Sequence, residues 1–364
     1  MTNRLPKELR PSYIRSGLIA SGTANDLRKL RLGLMRWRAH LDRRDRTPRG
    51  NGPLQILAHV STYLQTHGGA ESSMKATLAF LRDRGHTARV LTDEGPQGSS
   101  DVAGVEVIVR PGRRGERALY SSADVVLTQG RSSLRSFMRA KALDKPVTLF
   151  VRALGDWTRL PGRPTLVVFN AEWQWHALGY RGRAIVVHPP IDAAKYLTTP
   201  GDRVTLINLN RRKGGELFSE IVMRMPDVDF LGVVGMWEEQ IVPAELPHNL
   251  EILESRDDVR QIYSRTRVLL VPSEWESFGR VAVEAGLSGI PVVASPNPGT
   301  LEALGNAALY AGWSDTDGWI RAIRSLEDPD FYATTSSAVS QAARRFASSD
   351  ELETLEATLI DIAS

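Results

Sequence analysis

The 364-residue sequence is long enough for two domains, and its 42% hydrophobic and 24% charged residues are typical of a soluble globular protein. It has no cysteine, which excludes disulfides and thiolate-bound zinc. No apolar run approaches the roughly 20 residues that cross a bilayer, and the N-terminus has no compact signal-peptide core. We therefore expect a cytoplasmic protein.

Residues 1–52 form a basic leader. Positions 1–50 hold 13 Lys and Arg against 4 Asp and Glu, whereas the remaining residues hold 33 against 38. Apolar residues recur in the leader at spacings of three and four, which predicts an amphipathic helix: Leu27, Leu30, Leu34, Trp37 and Leu41. Such a helix either packs on the next domain or binds a partner. The candidate partners are a protein, an anionic membrane surface (peripherally, at the inner membrane) and, less favoured, nucleic acid.

Residues 53–198 form the first predicted domain, in which strands alternate with helices. The predicted strands are Leu54–Val60, Ala88–Thr92, Val105–Val109, Val125–Leu127, Val147–Phe150, Leu166–Phe169 and Ile185–Val187. Gly68 and Gly69 lie between the first strand and a helix predicted to end near Arg84. Glycines at a helix start let a ligand approach free backbone N–H groups, and the alternative is a simple turn.

Residues 199–345 form a second predicted domain of the same kind. Its predicted strands are Val204–Leu209, Asp229–Val234, Leu250–Leu253, Val268–Val271 and Val292–Ala294. Strands that alternate with helices indicate parallel sheets with right-handed crossovers. The fold class is therefore α/β with two Rossmann-like domains. The closing segment, residues 346–364, contains a further predicted helix from Asp350 to Ile362.

Two glutamates flank a predicted helix start in the second domain. Glu276 lies in the loop after the apolar run Val268–Val271, and Glu284 lies one to two turns into the helix that follows. The free N–H groups of a helix start near Phe278 and Gly279 favour an anion such as a diphosphate. Carboxylates on both sides suit hydroxyl-rich groups. This arrangement indicates a nucleotide-sugar site.

Three cations follow the first strand of the second domain. Arg211, Arg212 and Lys213 precede a helix predicted from Glu216 to Met225. Cations grouped at a strand end would stabilise negative charge on a bound diphosphate. The alternative is a solvated basic turn.

Several motifs occur together in one order along the chain: Gly68-Gly-Ala-Glu71, Arg84-Gly-His86, His188-Pro-Pro-Ile-Asp192, Lys213-Gly214, the Glu276–Glu284 spacing and Gly299-Thr-Leu-Glu302. They resemble the motifs of the retaining glycosyltransferases of family four, which have the GT-B fold. The resemblance covers about residues 54–325. It implies an acceptor domain, then a donor domain, and a C-terminal helix that crosses back to the first domain. It also implies that no metal or other cofactor is needed.

The resemblance also implies roles for individual residues. Glu276, Lys213 and Arg212 would be catalytic. The donor site would include Gly68, Gly69, Asn208, Arg211, Lys213, Glu276, Ser277, Phe278, Gly279, Arg280 and Glu284. Arg152 and Trp157 would lie on the acceptor side.

Two positions depart from the family pattern. Asn208 lies where many members have the arginine of a Gly-Arg pair, and Arg152 lies where many have a histidine near the reacting sugar. We therefore expect Arg211 or Arg212 to supply the missing charge, and we infer no catalytic histidine.

The expected activity is transfer of a sugar from a nucleoside-diphosphate donor, UDP- or GDP-linked first, to a hydroxyl on a glycan, lipid, protein or small molecule. Two other functions fit the same fold: nucleotide-sugar epimerisation, and sugar-nucleotide binding or scaffolding with weak catalysis. A third alternative is a macromolecular acceptor that the basic leader recruits.

Overall fold

The computed structural model describes residues 52–64, 68–154, 160–235, 238–256 and 258–364. The predicted basic leader therefore lies outside the described residues. The described chain divides into two compact units. The first consists of residues 52–64, 74–187 and 350–364, and the second of residues 68–73 and 188–349. No helix in the described part of the chain is both long and apolar enough to cross a membrane.

The first unit is built on a largely parallel sheet. Its elements are β1 (Gln55–His59), α1 (Gly69–Asp83, whose first turn groups with the second unit), β2 (Thr87–Thr92), β3 (Gly98–Val102), β4 (Val105–Val109), α2 (Gly112–Ser122), β5 (Val125–Gln129), α3 (Ser133–Ala142), β6 (Val147–Val151), β7 (Leu166–Phe169), α4 (Glu172–Leu178) and β8 (Ala184–Val186). Among the described residues, the strand order is β3-β4-β2-β1-β5-β6-β7-β8. The central strands β5, β6 and β7 are buried at every position, as their continuous apolar runs require.

The edge strand β3 departs from the expected parallel pattern. It pairs antiparallel with β4, through a turn in which Ala103 and Gly104 both have positive φ, 53° and 77°. Two such residues are what a tight two-residue hairpin needs. The strand sequence Gly-Ser-Ser-Asp-Val is mostly exposed and has no apolar run, so the pattern of hydrophobicity could not reveal it.

The second unit has a parallel sheet with helices between its strands. Its elements are β9 (Arg203–Ile207), α5 (Gly215–Arg224), β10 (Phe230–Val233), β11 (Leu250–Leu253), α6 (Arg260–Tyr263), β12 (Thr266–Val271), α7 (Arg280–Leu287), β13 (Val292–Ala294), α8 (Pro298–Leu304), β14 (Leu309–Tyr310), α9 (Thr316–Ser325) and α10 (Pro329–Arg344). In the described residues the strand order is β11-β10-β9-β12-β13-β14. The order reverses between β9 and β12, and ligands bind at such switch points, beyond the carboxyl ends of the strands.

The C-terminal helix α11 (Asp350–Ala363) belongs to the first unit. Leu355 and Leu359 are buried in the core of that unit. Glu356 accepts hydrogen bonds from Arg84 Nε at 3.0 Å and from His86 Nε2 at 2.9 Å. Because His86 Nδ1 accepts the backbone N–H of Leu54, its Nε2 carries the proton that it donates. The helix is therefore held by apolar packing and by a polar anchor.

Candidate functional site

The loop between β12 and α7 lies at the switch point of the second sheet. It ends at Gly279, whose φ of 80° is left-handed, and no side chain caps the start of α7. The loop is packed against the start of α8: a Cβ on Gly299 would lie 2.6 Å from the carbonyl oxygen of Glu276 and 2.7 Å from the nitrogen of Phe278. A glycine at 299 is therefore required for this close approach. The result is a fixed loop with free N–H groups at a helix start.

Lys213 and Glu276 contact each other. Lys213 Nζ pairs with Glu276 Oε1, and Ser273 Oγ donates to the same oxygen at 2.6 Å. Glu276 is buried, whereas the Lys213 side chain keeps a third of its surface exposed. The two loops are also joined through their backbones, because Glu274 N donates to Arg212 O at 2.8 Å. The structure thus brings together two residues that the sequence predicts to share a site.

The turn that carries Lys213 has a defined shape. The side chain of Asn210 accepts a hydrogen bond from Lys213 N at 2.9 Å, and Gly214 has a left-handed φ of 89°. A Cβ on Gly214 would lie 2.6 Å from Pro272 O, and one on Gly215 would lie 2.0 Å from Leu209 O. The turn is therefore fitted closely against its neighbours, and this close fit positions Lys213.

Glu284 lies at the centre of a buried polar cluster. Its Oε1 accepts from Arg280 Nε at 2.5 Å, and its Oε2 accepts from Tyr263 Oη at 2.9 Å. Arg280 Nη2 donates to Tyr196 Oη at 2.8 Å, and its Nη1 donates to Ser73 Oγ at 3.1 Å. Glu284 therefore has the partner that its apolar neighbours demand. The sequence did not reveal Tyr196 and Tyr263 as hydrogen-bond partners in this cluster, because both come from distant segments.

Electrostatics in this cluster follow from burial and from the carboxylate. Burial raises the pKa of Tyr263 well above its ordinary value, and the negative charge of Glu284 raises it further. Burial alone would lower the pKa of Arg280, but Glu284 outweighs this effect and the net shift is upward. Burial, and then Glu284, raises the pKa of Tyr196 as well. The cluster is thus a charged arginine and two neutral phenols around one carboxylate.

The other predicted cations lie at the surface. Arg211 pairs with Glu216 at 3.5 Å, and Arg212 lies 3.9 Å from both Glu238 and Glu274. Asn208 has a left-handed φ of 72°, and its Oδ1 accepts from Gln240 Nε2 at 3.2 Å. Because Gln240 Oε1 also accepts from Leu209 N and Gly235 N, the amide pair shapes the loop around Asn208.

The remaining loop residues have distinct positions. Ser277 is half-buried, whereas the ring of Phe278 is buried and lies 5.0 Å from His188 and 4.9 Å from Phe346, between ring centroids. His188 Nε2 lies 2.7 Å from Glu302 Oε1. This pair joins two segments that the sequence shows only as separate motifs. Because His188 also contacts the ring of Phe278, the pair helps to hold the loop in place.

The other predicted site residues come from the first predicted domain. Gly68 and Gly69 group with the second unit. Arg152, in the first unit, donates from Nε to Gln129 Oε1 at 3.0 Å and stacks over the Phe150 ring at 5.0 Å. Trp157 lies outside the described residues. Within the described segments, no three His, Cys, Asp or Glu side chains form a group that could hold a metal ion.

Comparison with known proteins finds a family match within the second unit. Residues 205–328 match the family model described as glycosyl transferases group 1. The match covers about a third of the chain, and it is a likeness of this segment to the group 1 glycosyltransferases. It runs from β9 to just beyond α9, and it contains Lys213, Glu276 and Glu284.

Two relatives are similar to part of this chain. The O-antigen chain mannosyltransferase RfbU of Salmonella typhimurium is 34% identical over 96 residues, which are 26% of this chain and 27% of that protein. The D-inositol 3-phosphate glycosyltransferase of Mycolicibacterium gilvum is 30% identical over 182 residues, 42% of this chain and 38% of that protein. The matches thus span less than half the length of these relatives.

Solved structures share the fold over most of the chain. Sucrose-phosphate synthase from Thermosynechococcus elongatus has a TM-score of 0.68 at 16% identity, and covers 84% of this chain and 98% of its own. HepE of Anabaena, solved in complex with UDP-glucose, has a TM-score of 0.70 at 18% identity, and covers 84% and 99%. At these identities the likeness concerns the fold alone. The predicted GT-B architecture, with two Rossmann-like α/β domains, is confirmed.

Proposed function

We propose that the protein is a retaining, metal-independent glycosyltransferase that moves a sugar from a nucleoside-diphosphate donor to an acceptor hydroxyl. The observation that carries the proposal is the joint position of Lys213 and Glu276 at the uncapped start of α7, at the switch point of the second sheet. Helix N–H groups and a lysine suit a diphosphate, and a neighbouring carboxylate suits sugar hydroxyls. The group 1 domain match supports the same activity.

Lys213 can exchange its ion pair with Glu276 for one with the donor during the reaction. Its ammonium group is one-third exposed and pairs with Glu276 in the structure. A donor diphosphate would offer it a stronger anion, and Glu276 would then be available to the hydroxyls of the donor sugar. Lys213 would stabilise the charge that builds up on the leaving diphosphate. The leaving diphosphate would itself deprotonate the acceptor on the same face, as expected for a retaining enzyme of this family.

Arg211 and Arg212 would add positive charge at the diphosphate. Both side chains are more than 60% exposed, and their ion pairs are 3.5–3.9 Å long. Exposed pairs of this kind are weak, so the side chains can reorient toward a ligand.

Glu284 keeps acceptor capacity for a ribose. Its Oε1 receives a hydrogen bond from Arg280 and its Oε2 one from Tyr263, and the Tyr196 hydroxyl also hydrogen-bonds the carboxylate. Because a carboxylate offers about four lone-pair sites, one remains for a hydroxyl donor. Arg280 and Tyr263 fix the orientation of the carboxylate. The Glu284 side chain therefore loses little conformational freedom when the donor binds.

The proposal is tested with a donor screen. Wild type and Lys213→Ala are compared in thermal-shift and hydrolysis assays with UDP-, GDP-, ADP- and TDP-sugars, starting with UDP-glucose because HepE was solved with it. We expect one donor series to stabilise the wild type, and Lys213→Ala to lose about 100-fold or more in turnover. Arg163→Ala, a surface change in the first unit, serves as the control and keeps wild-type turnover.

Three outcomes would contradict parts of the proposal. Donor binding without transfer or hydrolysis would favour a binding or scaffold protein. Release of a free epimer of the donor sugar would favour epimerisation. Loss of turnover in EDTA that Mg²⁺ or Mn²⁺ restores would overturn the metal-independent mechanism.

The basic leader needs a separate experiment. We propose that residues 1–50 contact a protein or a membrane surface on which the acceptor is presented. Deletion of these residues should then reduce transfer to that acceptor and leave donor hydrolysis unchanged. Equal loss of both activities would contradict this role.

A further inference from the structure

The first unit contains a cavity lined with arginines, which the donor site does not use. Its volume is about 390 Å³. The lining residues come from the ends of β2 and β4, from the start of α2 and from α3: Asp93, Arg110, Pro111, Gly112, Arg113, Glu116, Arg135 and Arg139. We call this the arginine cavity. β2 and β4 are parallel neighbours, so the cavity lies at their carboxyl ends, where open α/β sheets bind ligands.

The charges that line the arginine cavity do not cancel. Arg135 pairs with Asp93 at 2.7 Å and with Glu116 at 2.7 Å, and Arg139 pairs with Glu116 at 3.1 Å. Burial would raise the pKa of Glu116, but its hydrogen bonds to Arg135 and the charges of both arginines outweigh this and lower it. The negative charges of Asp93 and Glu116 are therefore balanced by the positive charges of Arg135 and Arg139. Arg110 and Arg113 leave two formal positive charges in excess.

The excess charge lies where the backbone also favours an anion. Arg113 is in the first turn of α2, which has no acidic residue, and Pro111 at the cap position makes no side-chain hydrogen bond. A cation at a helix start opposes the helix dipole, and a bound anion relieves this. Arg110, which lines the cavity, donates from Nη2 to Asp93 O at 2.7 Å, so its guanidinium is held beside the end of β2.

We propose that the arginine cavity binds a phosphate group carried by the sugar acceptor. This assignment rests on the proposed function, since it names the acceptor class of the same reaction. The cavity is near the lower end of ligand-pocket volumes, so it fits a phosphorylated sugar or polyol. Guanidinium groups form paired hydrogen bonds with phosphate oxygens. An apolar acceptor would find one proline and no aromatic ring among the lining residues.

The test compares two adjacent arginines. Arg113 lines the arginine cavity, whereas Arg114 is in the same helical turn, is also exposed and does not line it. Arg113→Glu and Arg114→Glu are prepared in a Lys213→Ala background, which removes the donor lysine. Inorganic phosphate and glycerol 3-phosphate are titrated by calorimetry at low ionic strength. We expect Arg113→Glu to weaken both ligands about tenfold, and Arg114→Glu to change them by less than about twofold.

A folding defect would not explain a difference in phosphate affinity between the two variants, because Glu near a helix start stabilises the helix in both. Equal losses in both variants would overturn the proposal, because they would show a diffuse basic surface. Absence of phosphate binding to the starting protein would overturn it as well.

Transfer assays then identify the source of the phosphate. They are run with the Lys213 side chain intact, and compare glycerol 3-phosphate, glycerol and phosphatidylglycerol vesicles. A preference for glycerol 3-phosphate that Arg113→Glu abolishes supports a soluble phosphorylated acceptor, and the same pattern with vesicles supports a lipid phosphate. Glycerol used as well as its phosphate would overturn the acceptor assignment. If phosphate binds but no donor does, the proposed function fails and the cavity remains an anion site.

Discussion

Glu284 and Arg280 form an ion pair that is almost closed to solvent, with 9% and 14% of their side-chain surfaces exposed. Removing one partner of such a pair leaves the other charge buried without compensation, which typically costs about 3–5 kcal/mol. We therefore expect Glu284→Ala to lower the free energy of unfolding by about 3 kcal/mol, besides weakening donor binding. Urea denaturation without ligand measures the first effect.

A matched exposed pair provides the control for that substitution. Glu216 and Arg211 are 60% and 77% exposed at 3.5 Å, and surface pairs contribute about 0–1 kcal/mol. Glu216→Ala should therefore change the free energy of unfolding very little. Equal effects of the two substitutions would show that burial does not govern the Glu284 pair.

His59 should make stability depend on pH. Its side chain is buried, its Nδ1 lies 2.6 Å from Tyr120 Oη, and burial, aided by the charge of Arg135, lowers its pKa from 6.5 to about 4. Between these values the unfolded chain binds a proton that the folded protein does not. The contribution is therefore fully present above pH 6.5 and is lost as pH falls toward 4, by roughly 3 kcal/mol in all.

Denaturation midpoints between pH 4 and pH 7.5 test this expectation. His59→Gln should flatten the acid side of the stability curve. An unchanged slope in His59→Gln would mean that other groups control acid stability.

At the scale of elements, the contact between α8 and the β12–α7 loop can be tested without touching any functional group. A Cβ on Gly299 would press on the backbone of residues 276–278 at 2.6–2.7 Å, so the loop must move. We expect Gly299→Ala to cost about 1–3 kcal/mol in stability and to weaken donor binding. A Cβ on Gly312 would meet only Asp315 at 3.6 Å. Gly312→Ala should therefore preserve donor affinity, and a similar loss in both variants would argue against the loop mechanism.

Elements with long apolar runs could be predicted from the sequence almost to the residue. Val105–Val109, Leu166–Phe169 and Leu250–Leu253 have the bounds that the pattern predicts. β3 was missed because its residues are small, polar and exposed. β14 was missed because it has two residues. Such strands form because a neighbouring strand offers hydrogen bonds, and this is invisible to hydrophobic periodicity.

The site was predictable where strand order decides proximity. Lys213 and Glu276 follow β9 and β12, which pair in parallel, so their loops must meet at one sheet edge. The partners of Glu284 could not be predicted, because Tyr196 and Tyr263 are 88 and 21 residues away and no motif marks them. A charge among apolar neighbours predicts that a partner exists, but the identity of that partner depends on the tertiary structure.

At the scale of the whole molecule, the two units have separate hydrophobic cores. Leu355 and Leu359 on α11 complete the core of the first unit, although they lie at the end of the chain. Trp319 and Ile323 on α9 belong to the core of the second. Separate cores give each unit its own source of stability, which makes independent unfolding transitions the natural expectation.

Differential scanning calorimetry of two core variants tests this separation. Leu359→Ala and Ile323→Ala each delete buried methyl groups, at a typical cost of about 2–4 kcal/mol. We expect Leu359→Ala to lower one transition by roughly 8 °C and to leave the other in place, and Ile323→Ala to do the reverse. A nucleoside diphosphate should raise only the transition that Ile323→Ala lowers, because the donor residues lie in that unit. If both variants lowered a single common transition equally, the two units would unfold as one, and the expected independence of their cores would be wrong.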